Sequence, residues 1–201
     1  METGGTFSRR LEAWLADDDA PKTLGALGEV FAEKAFAVTI LMLMVLPAVP
    51  LPTGGITHVF EGITVVLAAQ LVLGRRTLWL PRRWQERELG PVMSDKALPF
   101  VVARVQWFER HSRPRGAALL SQRWFRRLLG IVLIAFAAGA ALAPPFSGLD
   151  TFPAMGAVGV TLGMILEDVV VLAIGVVIGV GGIALIVTIG AAIMAALRDL
   201  F

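Results

Sequence analysis

The chain has 201 residues, of which 56% are apolar and only 17% are charged. A water-soluble domain averages about 45–50% apolar and about 25% charged residues, so this composition excludes an ordinary soluble domain and a disordered chain. With 0 cysteines it also excludes a disulfide, a thiolate metal site and a cysteine nucleophile, and it predicts an all-α, polytopic membrane protein.

In chain order, a polar N-terminal tail over residues 1–23 precedes a single membrane domain over residues 24–201. Nearly uncharged stretches in that domain approach the about 20 apolar residues that a spanning helix needs. The last stretch is too long for one pass, and the pair Glu167–Asp168 divides it into a short helix and a long one. The predicted membrane segments are Ala35–Leu51, Ile56–Leu73, Leu128–Leu149 and the two parts of Thr151–Leu197.

These segments are predicted to form two proline-turned hairpins and a long terminal helix. Proline lacks an N–H group and clashes with the preceding turn, so it ends a helix. The hairpins either cross the membrane through tight periplasmic turns or are re-entrant, and their matching prolines indicate an internal repeat. The turn prolines are Pro47, Pro50, Pro52, Pro144 and Pro145. The predicted bounds are 24–74 for hairpin 1, 75–127 for a loop, 128–168 for hairpin 2 and 169–197 for the terminal helix.

The loop over residues 75–127 is strongly basic, with 13 of the 18 Lys and Arg residues of the chain. Loops rich in Lys and Arg stay on the cytoplasmic side, so the N-terminus is predicted to be cytoplasmic too. Residues 98–110 show the pattern of an amphipathic helix on the inner leaflet. Nucleic-acid binding is less favoured, because no motif of a nucleic-acid module is present. The side chains expected to contact anionic lipid headgroups are Arg75, Arg76, Trp79, Arg82, Arg83, Trp84, Trp107 and Trp124.

The terminal segment is rich in glycine and admits two courses. It either crosses the membrane outward, which is the preferred interpretation, or folds back at residues 179–182. Glycines four residues apart, at Gly159 and Gly163 and again at Gly175 and Gly179, are typical of close helix packing. We expect that packing to be within the chain rather than between copies.

Ionisable and polar residues inside apolar segments are the candidates for function, because a charge at the bilayer centre costs at least ~2.5–3.5 kcal/mol. His58 and Glu61 share one helical face and are placed to share a proton or form part of a cation site. Alternatively, His58 is an interfacial residue, and Glu167–Asp168 simply mark a cytoplasmic turn. The candidate polar, ion or substrate site comprises Glu61, His58, Gln70, Glu167 and Asp168. No catalytic constellation, metal site or cofactor is expected.

The turn over residues 46–55, with its sequence LPAVPLPTGG, resembles the first turn of the ExoD family of exopolysaccharide-synthesis membrane proteins. Gln70, then Gly74-Arg75-Arg76 and Trp79-Leu80-Pro81, form the most specific part of the resemblance, which covers roughly residues 22–197. Two features depart from the family pattern. An Arg-Asp-Gly triplet is expected where this chain has Glu167-Asp168-Val169, and small or apolar residues are expected at His58 and Glu61.

The resemblance implies a role in exopolysaccharide production at the bacterial inner membrane, and it supplies no known reaction. We expect a non-catalytic accessory or transport protein whose partners are anionic lipids and either the exopolysaccharide machinery or a second copy of the chain, not nucleic acid. The alternatives are a proton- or cation-coupled transporter using intramembrane carboxylates, a membrane enzyme acting on a lipid-linked sugar, and a pure scaffold.

Overall fold

The computed structural model describes residues 7–17, 19–23, 26, 34–49, 56–75, 78–79, 81, 102–103, 106–107, 115–143 and 147–200. The regular elements of this part of the chain are α-helices, as the composition predicts. They are α1 (Phe7–Ala16), α2 (Ala35–Val45), α3 (Ile56–Val72), α4 (Ala117–Leu120), α5 (Arg123–Ala141), α6 (Thr151–Leu166) and α7 (Val169–Leu200).

Helix α2 is the centre of the fold, because all 11 of its residues are buried. It packs against α3 on one side and α6 on another. A helix that is apolar around its whole circumference has no face for water and belongs inside a bundle or a bilayer. Its only polar side chain is Thr39, which is fully buried.

The first predicted segment, Ala35–Leu51, is longer than the helix that the structure contains. Helix α2 ends at Val45 because Pro47 has no N–H group to continue the hydrogen-bond ladder. Ala48 N still donates to Met44 O at 3.0 Å, and Val49 N donates to Leu46 O at 3.2 Å in a tighter turn. Hydropathy counted the apolar residues after Val45 as helix, whereas the backbone already turns there.

The helices run up and down, so the bundle has two distinct ends. Helices α3 and α6 end, and α2, α5 and α7 begin, at the end that carries the basic loop, which we call the basic end. The ends of α2 and α5 and the starts of α3 and α6 lie at the other end, which we call the turn end. At the basic end α3 and α5 approach closely, since a Cβ built on Gly130 would lie 2.9 Å from Ala68 O.

The break between α6 and α7 falls at Glu167 and Asp168, as the charge pattern predicts. Glu167 adopts a left-handed conformation with φ of 55°, and Asp168 N donates to Gly163 O at 3.0 Å. Helix α7 then continues through residues 179–182 without interruption. The alternative in which the terminal segment folds back at those glycines is therefore wrong.

Helices α6 and α7 form the most extensive contact in the bundle, and glycine makes it possible. A Cβ built on Gly163 would lie 2.6 Å from Leu172 N, and Gly156 packs directly on Gly179. Missing side chains let two backbones approach in this way. The prediction of packing within the chain is confirmed for these glycines.

Two helices of the described part are long and apolar enough to cross a membrane: Arg123–Ala141 and, within α7, Val169–Ala192. The other apolar helices have 10–17 residues. Helix α7 exposes much of its apolar surface, with Val177 71% and Val187 62% exposed. Water does not favour so long an uncovered apolar face.

Much of the basic loop lies outside the described residues, as does most of the predicted amphipathic helix over 98–110. Its described tryptophans, Trp79, Trp107 and Trp124, are each more than half exposed. Other predicted headgroup contacts and turn residues fall outside the described part: Arg76, Arg82, Arg83, Trp84, Pro50, Pro52, Pro144 and Pro145. The internal repeat stays a prediction.

Candidate functional site

A buried carboxylate lies near the turn end of α3. Glu61 is 0% exposed, and its Oε2 atom lies 2.8 Å from His58 Nδ1. The two residues are three apart, which places them on one face of the helix, as the sequence predicts. The His58 side chain is 42% exposed, so the pair links the interior of the bundle to its surface.

Three buried oxygen atoms of the described residues have no hydrogen-bond partner: Thr39 Oγ1, Glu61 Oε1 and Thr64 Oγ1. A buried polar group without a partner costs about 1–3 kcal/mol, and each such group in a folded protein calls for an explanation. A bound water or ion supplies the missing partner in many sites of this kind.

The three oxygens lie at similar depth in the hairpin. Thr39 is six residues before the end of α2, and Glu61 and Thr64 are five and eight residues after the start of α3. At 1.5 Å per residue, all three are about 7–12 Å from the turn. Sequence analysis missed both threonines, although Thr64 follows Glu61 at helical spacing.

A second acidic group acts on this region from the other hairpin. Asp150 precedes α6 at the turn end and is close enough to interact with Glu61 electrostatically. His58 is the other ionisable group that interacts with Glu61. Residues from the turn ends of both hairpins therefore interact with Glu61. They are one further carboxylate, Asp150, and one imidazole, His58.

Gln70 performs a different task at the basic end. Its Nε2 donates to Trp79 O at 2.7 Å, and its Oε1 accepts from Trp79 N at 2.9 Å. The Gln70 side chain thus bonds both backbone groups of Trp79, as a neighbouring backbone segment would. This pair of bonds fixes where the chain leaves the bundle, and it gives the buried Gln70 amide a partner for both its donor and its acceptor.

Glu167 and Asp168 also lie at the basic end, where they organise the turn between α6 and α7. Asp168 Oδ1 accepts from Val170 N at 2.9 Å, as a helix N-cap does. Glu167 pairs with Lys34 Nζ at 3.0 Å, and Lys34 also donates to Ile165 O at 2.6 Å. Gly116 N donates to Glu167 O at 2.8 Å. Lys34 provides a basic partner to the acidic turn of this chain.

The five candidate residues therefore form two groups rather than one cavity. His58 and Glu61 lie near the turn end, whereas Gln70, Glu167 and Asp168 lie at the basic end. Along α3 alone, Glu61 and Gln70 are separated by about 13.5 Å of helix. Within the described part of the chain, no three side chains of the His, Cys, Asp or Glu types gather to hold a metal ion.

The described part of the chain is an all-helical bundle with two membrane-compatible helices and a buried carboxylate. The family model for "Exopolysaccharide synthesis, ExoD" matches residues 7–188. The chain belongs to the ExoD family. It is 30% identical over 155 residues to an uncharacterised protein of Synechocystis sp., covering 74% of this chain and 70% of that relative. No solved structure matches the chain.

Proposed function

We propose that this chain is an integral protein of the bacterial inner membrane with a non-catalytic accessory or transport role in exopolysaccharide synthesis. Membership of the ExoD family supports the role in exopolysaccharide synthesis. The membrane location rests on the apolar face of α7, where Val170, Ile174, Val177 and Val180 are each 47–71% exposed. Exposing such an apolar face to water is unfavourable, whereas contact with the hydrocarbon of a bilayer avoids that free-energy cost.

The proposed orientation places the basic end in the cytoplasm, with anionic lipids around the loop. Arg and Lys near an anionic leaflet contribute about 1 kcal/mol each. The exposed Trp79, Trp107 and Trp124 provide indole rings of the kind that favours the headgroup level. This arrangement puts the N-terminus on the cytoplasmic side as well.

Re-entrant hairpins are part of the proposal. With 11 residues, α2 spans about 16 Å, and with 16 residues α6 spans about 24 Å. The hydrocarbon core of a bilayer is about 30 Å thick, so neither helix reaches across it unaided. Irregular backbone at that depth is tolerated where protein covers it.

Single cysteines test this topology, because the natural chain has none and gives no background labelling. Arg115→Cys at the basic end and Ser147→Cys at the turn end are both exposed positions. We expect a membrane-impermeant maleimide to label Arg115→Cys only in inside-out vesicles, and to label Ser147→Cys from neither side. Labelling of Arg115→Cys in intact cells would overturn the orientation, and labelling of Ser147→Cys from outside would overturn re-entrance.

The unpartnered oxygens favour a second candidate function, proton- or cation-coupled transport through Glu61. A carboxylate with two threonine hydroxyls at similar depth is a set of hard oxygen donors, which suits a small cation or its exchange for a proton. His58 provides the route from the surface to the carboxylate. Intramembrane carboxylates commonly carry coupling ions in transporters.

Reconstituted protein tests this second candidate. We expect Glu61→Gln to abolish cation flux driven by a pH gradient in proteoliposomes, because glutamine neither releases a proton nor neutralises a cation. Glu167→Gln is the matched control, since Glu167 lies at the opposite end and pairs with Lys34. Flux that is unchanged in Glu61→Gln would reject the coupling site.

The family-level role is tested in cells. A strain lacking the chain is expected to produce less exopolysaccharide, and the natural sequence is expected to restore it. Restoration by Glu61→Gln at full level would favour the accessory role over coupled transport. Undiminished exopolysaccharide in the deletion strain would contradict the proposed role.

A further inference from the structure

A cleft of about 200 Å³ opens at the basic end, between the start of α2, helix α4, α5 and the end of α6. One part of its wall is polar, formed by Lys34, Ser121, Arg126 and Glu167. The rest is apolar and includes Phe36, Leu120 and Met164. Its volume is several times the about 30 Å³ that one water molecule occupies, so it admits a chemical group of some size.

The charge of the cleft is positive. Lys34 and Arg126 contribute two cations to its wall, and Glu167 contributes one carboxylate. Lys34 is held in place by Glu167 Oε1 at 3.0 Å and by Ile165 O at 2.6 Å. Within the described part of the chain, the half-buried Arg126 guanidinium forms no ion pair. The cleft therefore has one uncompensated guanidinium beside a fixed ammonium.

We propose that this cleft binds the phosphate group of an anionic membrane lipid, with Arg126 as its main ligand, Lys34 as the second cation and the apolar wall against the lipid chain. Arginine presents a planar fork of donors that suits phosphate oxygens. Basic pockets between helices on the cytoplasmic side of a membrane are typical sites for such headgroups. The inference rests on the proposed membrane location, with the basic end inward.

The fold makes the cleft a defined shape rather than a loose surface. Helix α4 is fixed to the turn between α6 and α7 by the bond from Gly116 N to Glu167 O at 2.8 Å. Gly116 is buried, and a Cβ at that position would lie 3.1 Å from Glu167 O. The wall that carries Ser121 thus stays at a set distance from Lys34. Binding to a preformed site avoids the cost of ordering its side chains.

Native mass spectrometry of the full chain in nanodiscs tests the proposal. The nanodiscs contain phosphatidylcholine alone or phosphatidylcholine with phosphatidic acid, and inorganic phosphate is added as a competitor. We expect retention of phosphatidic acid over phosphatidylcholine, with little competition from inorganic phosphate because it lacks the lipid chain. Arg126→Gln is expected to lower retention about tenfold, the effect of losing one charge-assisted hydrogen bond.

Two further variants make the result specific. Arg123→Gln is the matched control, because Arg123 lies in the same helix, is exposed and does not line the cleft. Its retention is expected to match the natural chain. Glu167→Gln removes the carboxylate of the cleft and is expected to raise the retention of phosphatidic acid. If the cleft instead bound cations, the loss of this carboxylate would not favour an anionic lipid. Melting curves of all variants show whether each protein is folded.

Equal losses in Arg123→Gln and Arg126→Gln would overturn the proposal, since they would indicate general surface charge. Strong competition by inorganic phosphate would overturn the assignment to a lipid. Lower retention in Glu167→Gln would overturn the anion site itself. A chain that does not enter nanodiscs at all would contradict the membrane location, whereas an inserted chain without headgroup preference contradicts only the cleft.

Discussion

Gly159 and Gly175 face each other so closely that a Cβ built on Gly159 would lie 2.6 Å from the Cα atom of Gly175. This contact joins α6 to α7 in the middle of their shared interface. A side chain on either residue must push one backbone away from the other. The close packing of α6 on α7 therefore depends on the absence of a side chain at both glycines.

Gly159→Ala is expected to destabilise the protein by about 1–3 kcal/mol, because its methyl group enters a space already filled by backbone. Gly181→Ala is the matched control, since a Cβ on Gly181 would meet nothing within 4 Å. Alanine there is expected to stabilise α7 by up to about 1 kcal/mol through its better helix propensity. Thermal unfolding in one detergent measures both. Equal melting temperatures would show that the helices separate more easily than the contact indicates.

Thr64→Val tests the unpartnered hydroxyl in α3. In buffer without small cations we expect the variant to be more stable by about 1 kcal/mol, because valine removes a buried polar group that has no partner. Thr161→Val is the control, since Thr161 Oγ1 donates to Ala157 O at 2.8 Å. That substitution is expected to lower stability slightly.

Adding a cation distinguishes two roles for Thr64 Oγ1, a hydroxyl without any partner and a hydroxyl that binds the cation. If Thr64 Oγ1 helps to bind a cation, the stabilisation that the cation gives is smaller in Thr64→Val than in the natural chain. A Thr64→Val protein that is less stable than the natural chain in cation-free buffer would show that the hydroxyl has a partner other than a cation.

Gln70→Ala is expected to free the segment after α3. The substitution removes both bonds to Trp79, and each is worth about 0.5–1.5 kcal/mol. Hydrogen exchange at the Trp79 amide should then accelerate about tenfold or more. Gln122→Ala is the control, because the described hydrogen bond of the Gln122 side chain is one that it accepts from the exposed Trp124 indole. Unchanged exchange at Trp79 would mean that its amide is protected by another group.

The left-handed residue between α6 and α7 gives a prediction about backbone strain. Glu167 has φ of 55°, a conformation that glycine adopts without a steric penalty. Both Glu167→Gly and Glu167→Gln lose the ion pair with Lys34, but only glycine also relieves the backbone. We expect Glu167→Gly to be more stable than Glu167→Gln by about 1 kcal/mol, because a left-handed conformation is costly for a residue with a Cβ atom, and unfolding midpoints measure the difference. The reverse order would show that glycine's extra freedom in the unfolded chain outweighs the relief.

Local patterns in the sequence were enough to predict several features of the fold. The break at Glu167 and Asp168 follows from two carboxylates in an apolar run, and the pairing of His58 with Glu61 follows from helical spacing. The length of α2 did not follow, because Leu46, Val49 and Leu51 are apolar although the helix has already ended.

Contacts between distant segments were beyond sequence reasoning. Lys34 bonds Ile165 across 131 residues, and no local pattern indicates that partnership. Thr39 and Thr64 are ordinary helix residues until the structure shows that their hydroxyls are buried and unpartnered. The separation of Gln70 from Glu61 likewise depends on which end of the bundle each one occupies.

Helix α7 has 32 residues against the 16 of α6, so it rises about 48 Å beside a partner of about 24 Å. Beyond the stretch that it shares with α6, a Cβ built on Gly190 would meet nothing within 4 Å. In the proposed membrane location, lipid or detergent covers the apolar residues of this second half of α7. Unfolding experiments on this protein will thus report the surrounding medium as much as the polypeptide itself.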